Sequence, residues 1–341
     1  MQSEIQNLDH CPIADSSLVE EQVPIIDVAE LMEDSASPQA VTAIGQIAEA
    51  CRTWGFFQIV NHGVANDQFQ NLWQQAQGFF TLPVDKKLQV ERSKDNPWGF
   101  FNRELTKNQL DKKEVFDFTC PGVDPIYRRS NRWPPVPTGF RPAMEAYMES
   151  CTHLALKLLE GFCRGLDLPA DFLHPQFVGN HTGFIRLNYY PVDAETCSDS
   201  AEESSETTLG VHHHTDAGAL TVLLQDDIGG LQVFHQGYWH NIPSVEGALV
   251  INTGDMMQVW SNDIYKAAIH RVLAMKSRDR YSVPFFFNPS ENCRVEPLPS
   301  VVTESNPQQY DPIVWGEYRG KRSDGDYADY GAEVQIAQYH R

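Results

Sequence analysis

From about residue 183 to residue 288 the chain is cut into short, strand-length runs, and this punctuation constrains the fold more than any other feature. The runs are 184–190, 219–224, 231–235, 248–252, 256–260, 270–274 and 281–287, with Gly229, Gly230, Gly237, Gly247 and Gly254 falling between them. Several short strands separated by turn residues predict a sandwich or barrel rather than a parallel sheet with crossover helices. The first half reads differently. Apolar residues recur at helical spacing over 38–54, 66–80 and 139–166, with short strands at 23–28, 56–60 and 114–118.

The expected fold is therefore α+β and β-rich: a double-stranded β-helix, or jelly roll, flanked by helices. We divide the chain into a flexible arm (1–22), a mainly helical region (23–180), a jelly-roll core (181–290) and a covering segment (291–341). The acidic, serine-rich stretch 193–208 is expected to be a surface loop.

Chemistry concentrates in the barrel-like half. His214-Thr215-Asp216 is followed far downstream by His270. Two imidazoles and one carboxylate can cover one face of an octahedral metal and leave the other open, the ligand set of non-haem Fe(II) oxygenases. The histidines form a run, His212-His213-His214, so the ligand is not self-evident. Strand alternation puts His212, His214 and Asp216 on one face and turns His213 away. The His-x-Asp pair then selects His214.

A second element, Arg280-Tyr281-Ser282, places Arg280 and Ser282 on one strand face. A buried arginine is costly without an anion, and its fork matches a carboxylate in two parallel hydrogen bonds. A bound dicarboxylate or a carboxylate-bearing substrate follows. On the strand 184–190 the same alternation groups Phe184, Arg186, Asn188 and Tyr190 toward the cavity. No structural partner for Arg186 is evident in the sequence, which points to an anionic or phenolic group.

The remaining composition excludes several classes. A formal net charge of −20 argues against nucleic acid, which needs a basic face, and against an anionic membrane surface. No stretch approaches the roughly 20 apolar residues of a membrane span, and the first residues carry no secretory signal. Seven scattered cysteines without a C-x-x-C fit a reducing, cytoplasmic setting rather than a disulfide framework. A monomer acting on a small molecule is the expectation.

Taken in order, Pro24-Ile25-Ile26-Asp27, Trp54-Gly55-Phe56-Phe57-Gln58-Ile59-Val60-Asn61-His62-Gly63, Lys113-Glu114-Val115-Phe116-Asp117, Asn188-Tyr189-Tyr190-Pro191, His214-Thr215-Asp216, Gly229-Gly230-Leu231-Gln232, Asn252-Thr253-Gly254-Asp255, His270-Arg271-Val272 and Arg280-Tyr281-Ser282 resemble the isopenicillin-N-synthase-like family of Fe(II)/2-oxoglutarate dioxygenases, which includes plant flavonoid and gibberellin enzymes. The resemblance implies Fe(II) on His214, Asp216 and His270. It implies 2-oxoglutarate held by Arg280 and Ser282 with Asn188 and Tyr190 assisting, and O2 as the oxidant. Hydroxylation or desaturation would be coupled to decarboxylation of 2-oxoglutarate to succinate.

Aromatic walls are expected around the substrate, with Phe286, which shares a face with Ser282, and Phe184, Phe116, Asp117, Phe118 and Val233 as candidates beside Arg186. That lining suits a hydrophobic or aromatic, flavanone-like molecule. Two alternatives stand beside this reading: an iron oxidase of the same fold that does not consume 2-oxoglutarate, and a non-catalytic binding or sensor protein on the scaffold. Where the family has a short Pro/Cys-containing loop after Pro191, this chain has the longer acidic stretch 192–209, so substrate contacts from that loop do not transfer.

Overall fold

A computed structural model describes residues 8, 11–14, 22–33, 35–106, 109–122, 124–192, 209–275, 277–327 and 334–341. The acidic stretch 193–208 and Cys197 lie outside the described residues.

The N-terminal half supplies β1 (Ile25–Asp27), α1 (Ala29–Glu33), α2 (Pro38–Thr53), β2 (Phe56–Val60), α3 (Asn66–Phe80), α4 (Val84–Lys87), β3 (Gly99–Phe101), the two-residue strands β4 (Leu105–Thr106) and β5 (Gln109–Leu110), β6 (Glu114–Thr119) and α5 (Phe140–Gly165). The C-terminal half supplies β7 (Phe184–Tyr190), β8 (Leu209–His214), β9 (Leu220–Gln225), β10 (Leu231–His235), β11 (Tyr238–Asn241), β12 (Leu249–Thr253), α6 (Asp255–Trp260), β13 (His270–Leu273), β14 (Arg280–Phe287), β15 (Arg294–Val295), β16 (Ile313–Val314) and α7 (Trp315–Tyr327).

Strands β7 to β14 form the jelly roll. Four lie in a sheet ordered β11-β10-β13-β8, and the other four, β12-β9-β14-β7, form the centre of an eight-stranded sheet. That larger sheet runs β1-β2-β12-β9-β14-β7-β6-β3, so the expected boundary near residue 180 divides the sequence but not the sheet. Helices α2, α3 and α5 cover its outer face. Leu154, Leu158 and Phe162 of α5 meet Ile47, Leu72 and Ile185 in one core, all at 1% exposure or less. Each such side chain contributes roughly 1.5–3 kcal/mol through burial. A smaller core between the two sheets contains Phe56, Tyr190, Leu223, Leu231, Val233 and Val272, and it floors the cavity described below.

Two local expectations are overturned. Residues 256–260, expected as a strand, belong to helix α6. Their apolar side chains Met256, Met257, Val259 and Trp260 are buried around the helix, so the run carries no period-2 signal to separate strand from helix. The chain turns into α6 at Gly254, where a Cβ would stand 2.4 Å from Gly218 O and 2.8 Å from Asp216 O. The described part of the arm also is not loose. Trp239 N–H donates to Pro12 O at 2.9 Å, Ala14 N–H donates to Trp239 O at 2.9 Å, and the Trp239 indole donates to Leu8 O at 2.8 Å. Strand β11 is the edge of its sheet, and its unpaired backbone groups receive the arm.

Candidate metal and carboxylate site

His214 and His270 face each other across the β8–β13 pair, and Asp216 follows β8 in the loop to β9. Ligand atoms of the three lie within 4.8 Å of one another. Asp216 Oδ1 is 3.8 Å from His214 Nε2 and 3.7 Å from His270 Nε2. The alternation expected for the histidine run is broken by a bulge: His270 pairs with His214, but Val272 pairs with Val211. One extra residue of β8 is absorbed over His212 and His213, which re-aims the strand. Val211 and His214 therefore both line the cavity and His212 does not.

The hydrogen bonds fix what each ligand can offer. His214 Nδ1 lies 2.8 Å from His212 O and His270 Nδ1 lies 3.1 Å from Ala268 O. A carbonyl only accepts, so each Nδ1 carries the proton and each Nε2 keeps a free lone pair. Asp216 Oδ2 accepts from Thr221 Oγ1 at 2.5 Å and from Asn252 Nδ2 at 2.8 Å. That leaves Oδ1 for a cation. Burial pushes His214 down, helped by the neighbouring His270, so it is a neutral donor. Burial alone would raise Asp216, but His270, His214 and the two donors outweigh it and hold the carboxyl below its usual range.

The same cavity is lined by Arg280 and Ser282 of β14 with Asn188 and Tyr190 of β7. Register places Arg280 opposite Tyr190 and Ser282 opposite Asn188. Arg280 is 1% exposed. Its Nε donates to Gly229 O at 2.6 Å and its guanidinium lies 5.1 Å from the Tyr190 ring centre. Its Nη1 is buried without a hydrogen-bond partner among the described residues. A buried, unpartnered guanidinium N–H beside a serine hydroxyl suits an incoming carboxylate. The residues present fit both an iron ion and the distal carboxylate of a keto diacid.

The substrate-side candidates separate. Phe286 and Arg186 line the cavity. Phe184 stacks on Phe286 at 4.8 Å and is not itself a lining residue. Phe116 and Phe118 project to the opposite face of β6, where they pack against Phe79, Phe140 and Trp133. Val233 is in the core between the sheets. Strand alternation already separates Asp117 from Phe116 and Phe118, since neighbours on a strand cannot share a face.

Arg186 does have a structural partner. Its Nε and Nη2 donate to Asp117 Oδ1 and Oδ2 at 2.7 and 2.8 Å, and Nη1 donates to Glu104 at 3.1 Å. Arg92 also pairs with Asp117 at 3.0 Å and Glu104 at 2.8 Å, and Lys113 with Glu104 at 2.9 Å and Asp111 at 3.2 Å. Burial would raise Glu104, but Arg186, Lys113 and Arg92 hold it well below its usual range. Three cations and three carboxylates thus neutralise one another beside the cavity.

Sequence reasoning missed Lys113, Phe56, Val211, Leu223 and Pro284 as lining residues, and Thr221 and Asn252 as partners of Asp216. Alternation along β12 could have found Asn252. Glu104 sits in an irregular segment with no such signal.

The 2OG-Fe(II) oxygenase superfamily model matches residues 181–289, and a model described as non-haem dioxygenase in morphine synthesis N-terminal matches 23–136. Jasmonate-induced oxygenase 1 of Arabidopsis thaliana is 31% identical over 319 residues, covering 92% of this chain and 74% of that protein. This chain belongs to the 2OG-Fe(II) oxygenase superfamily. Feruloyl CoA ortho-hydroxylase 2 of Arabidopsis thaliana is 34% identical, covering 88% of this chain and 78% of that protein. The crystal structure of JOX2 in complex with 2OG, Fe and JA is similar, with a TM-score of 0.76, 31% identity and coverage of 93% and 91% of the two chains. A full-length Neurospora crassa protein crystallised with alpha-KG and thymine has a TM-score of 0.78 at 25% identity, covering 90% and 98%. The superfamily member described here is a 2-oxoglutarate-dependent non-haem iron dioxygenase, with Fe(II) as its metal and 2-oxoglutarate and O2 as its cosubstrates. Among the described residues no helix is long and apolar enough to cross a membrane.

Proposed function

We propose that this oxygenase couples decarboxylation of 2-oxoglutarate to succinate with hydroxylation or desaturation of a small, largely apolar or aromatic molecule. One observation carries the reading. A single cavity is lined by both the His214–Asp216–His270 cluster and buried Arg280, whose Nη1 has no hydrogen-bond partner among the described residues.

In this reading His214 Nε2, Asp216 Oδ1 and His270 Nε2 hold the iron. Arg280 and Ser282 take the distal carboxylate, with Asn188 holding the Ser282 hydroxyl at 3.4 Å and Tyr190 packing beneath the guanidinium. When bound, iron and the keto acid supply oxygen activation. The chain supplies alignment and a dry wall: Phe56, Val211, Leu223, Leu231, Val272, Pro284 and Phe286 keep water from the reacting centre.

Phe286, backed by Phe184, offers a flat apolar surface to the substrate, and Arg186 and Lys113 offer polar contacts. Because their charge is already balanced by Asp117, Glu104 and Asp111, they suit a phenolic or other neutral polar group at least as well as a carboxylate. Relatives named for feruloyl CoA, or solved with JA or thymine, support a small-molecule substrate. Flavanones and hydroxycinnamic derivatives are the first panel. The described cysteines are free, which supports a reducing setting such as the cytoplasm.

The test is anaerobic addition of Fe(II) and then 2-oxoglutarate, which should give a visible charge-transfer band. Admission of O2 with the panel should then release succinate in a substrate-dependent way. No band in the wild type overturns the keto-acid reading; a band without succinate from any aromatic member overturns the aromatic substrate.

A further inference from the structure

Helix α7 reaches the residue between two metal ligands, and none of its described side chains lines their cavity. Arg322, 5% exposed, donates from Nη2 to the backbone carbonyl of Thr215 at 3.2 Å. Thr215 is the residue between two ligands. Arg322 Nη1 donates to Val334 O at 3.1 Å and Gln335 Oε1 at 3.0 Å, and lies 3.9 Å from the Asp255 carboxylate. One turn earlier on the helix, Tyr318 donates its hydroxyl to Asp255 Oδ2 at 3.0 Å.

Asp255 also accepts from the Thr215 hydroxyl, and its own N–H donates to Asp216 O at 2.7 Å. Met256 N–H donates to Gly218 O at 2.9 Å. The loop that carries Asp216 is thus gripped from below by the start of α6 and from the side by α7. A loop free at this point would let His214 and Asp216 diverge, and metal sites tolerate only about 0.5 Å of looseness in their ligands.

We propose that Arg322 is a positioning residue for the metal centre. It fixes Thr215 so that His214 Nε2 and Asp216 Oδ1 converge before a metal arrives, and it ties metal affinity to docking of the C-terminal segment at Val334 and Gln335. The residue type matters. Only a guanidinium fork spans acceptors on two separate segments, Thr215 and 334–335, while Asp255 balances its charge; an ammonium is a point donor and cannot. The proposal rests on the metal-centre reading above.

The test uses Co(II) as the probe on the full chain, followed by its visible absorption and by the protein's melting temperature. Arg322→Met should weaken Co(II) binding by about 10- to 100-fold, the usual effect of losing a group that orients metal ligands. Arg322→Lys should recover little of it, and Tyr318→Phe should give a smaller loss in the same direction. If Arg322→Met and Tyr318→Phe lower only the melting temperature and bind Co(II) as the wild type does, the positioning role is overturned. If Arg322→Met does not fold, Tyr318→Phe, which removes a single hydroxyl, decides in the same way. Failure of the wild type to bind Co(II) overturns the metal centre itself.

Discussion

Asn252 and Asp216 meet at one oxygen: the Asn252 amide donates to Asp216 Oδ2 at 2.8 Å, and Thr221 uses that same oxygen at 2.5 Å. The carboxylate is saturated on one side and bare on the other, so it is oriented as a one-oxygen ligand. Asn252→Ala should therefore lower Fe(II) or Co(II) affinity by about 10-fold or more, and Thr221→Val should do likewise. Metal titration under anaerobic conditions reads this directly. Full affinity in both variants would mean that Asp216 needs no support.

Arg280 makes the opposite trade. Its unpartnered Nη1 is a cost to the empty protein and an asset to the loaded one. Arg280→Met should melt no lower than wild type in the absence of 2-oxoglutarate. It should lose the rise in melting temperature that the keto acid gives wild type, a stabilisation of about 2.7 kcal/mol at a hundred times the Kd. Ser282→Ala should weaken 2-oxoglutarate by about 1 kcal/mol, the scale of one hydrogen bond. Thermal scans with and without the keto acid check both.

Arg186 should behave chiefly as a structural cation. Removing it leaves Asp117, 3% exposed, with Arg92 alone; because Arg186 is itself part-exposed and Arg92 still pairs with the carboxylate, the loss should approach, without reaching, the roughly 3–5 kcal/mol of breaking a fully buried pair. Arg186→Gln should destabilise strongly, and Arg186→Gln with Asp117→Asn should recover part of the loss, because no uncompensated charge remains. Denaturant unfolding of the two variants measures the coupling. A single variant as stable as wild type would return Arg186 to the substrate alone.

His181 gives a pH dependence away from the metal. Burial pushes it down to about 4 from 6.5, and its Nδ1 accepts the Gly183 N–H at 3.2 Å, which requires the neutral ring. The unfolded chain therefore binds the proton first. Its contribution is complete above about pH 6.5 and is lost as pH falls toward about 4, at most about 3 kcal/mol. His181→Gln should flatten the stability profile between those limits relative to wild type, and an unchanged slope would show that the ring titrates elsewhere.

Much of this was legible in the sequence because strands report their faces. The limits of β7 and β10 and the inward set Arg186, Asn188 and Tyr190 follow from alternation, as does the pairing of Arg280 with Ser282 on one face of β14. Alternation failed where the backbone departs from it. The bulge at His212–His213 adds a residue that no pattern announces, and α6 buries nearly all its side chains, leaving no period to read. The ion network failed to appear for another reason: Glu104 and Arg186 come together through tertiary packing across irregular chain, and charge type alone does not name a partner.

The eight-stranded sheet has a consequence for how the protein is made. Strands β1 and β2 leave the ribosome long before β12, onto which β2 docks, and β3 and β6 wait for β7. Until then they are open edges with apolar faces, the kind of surface that joins neighbouring chains. Pairings this distant in sequence are slow to form. The segment 23–136 is a recognisable unit to a family comparison, yet a nascent chain stopped there holds half a sheet, and its solubility during synthesis depends on how soon the second half follows.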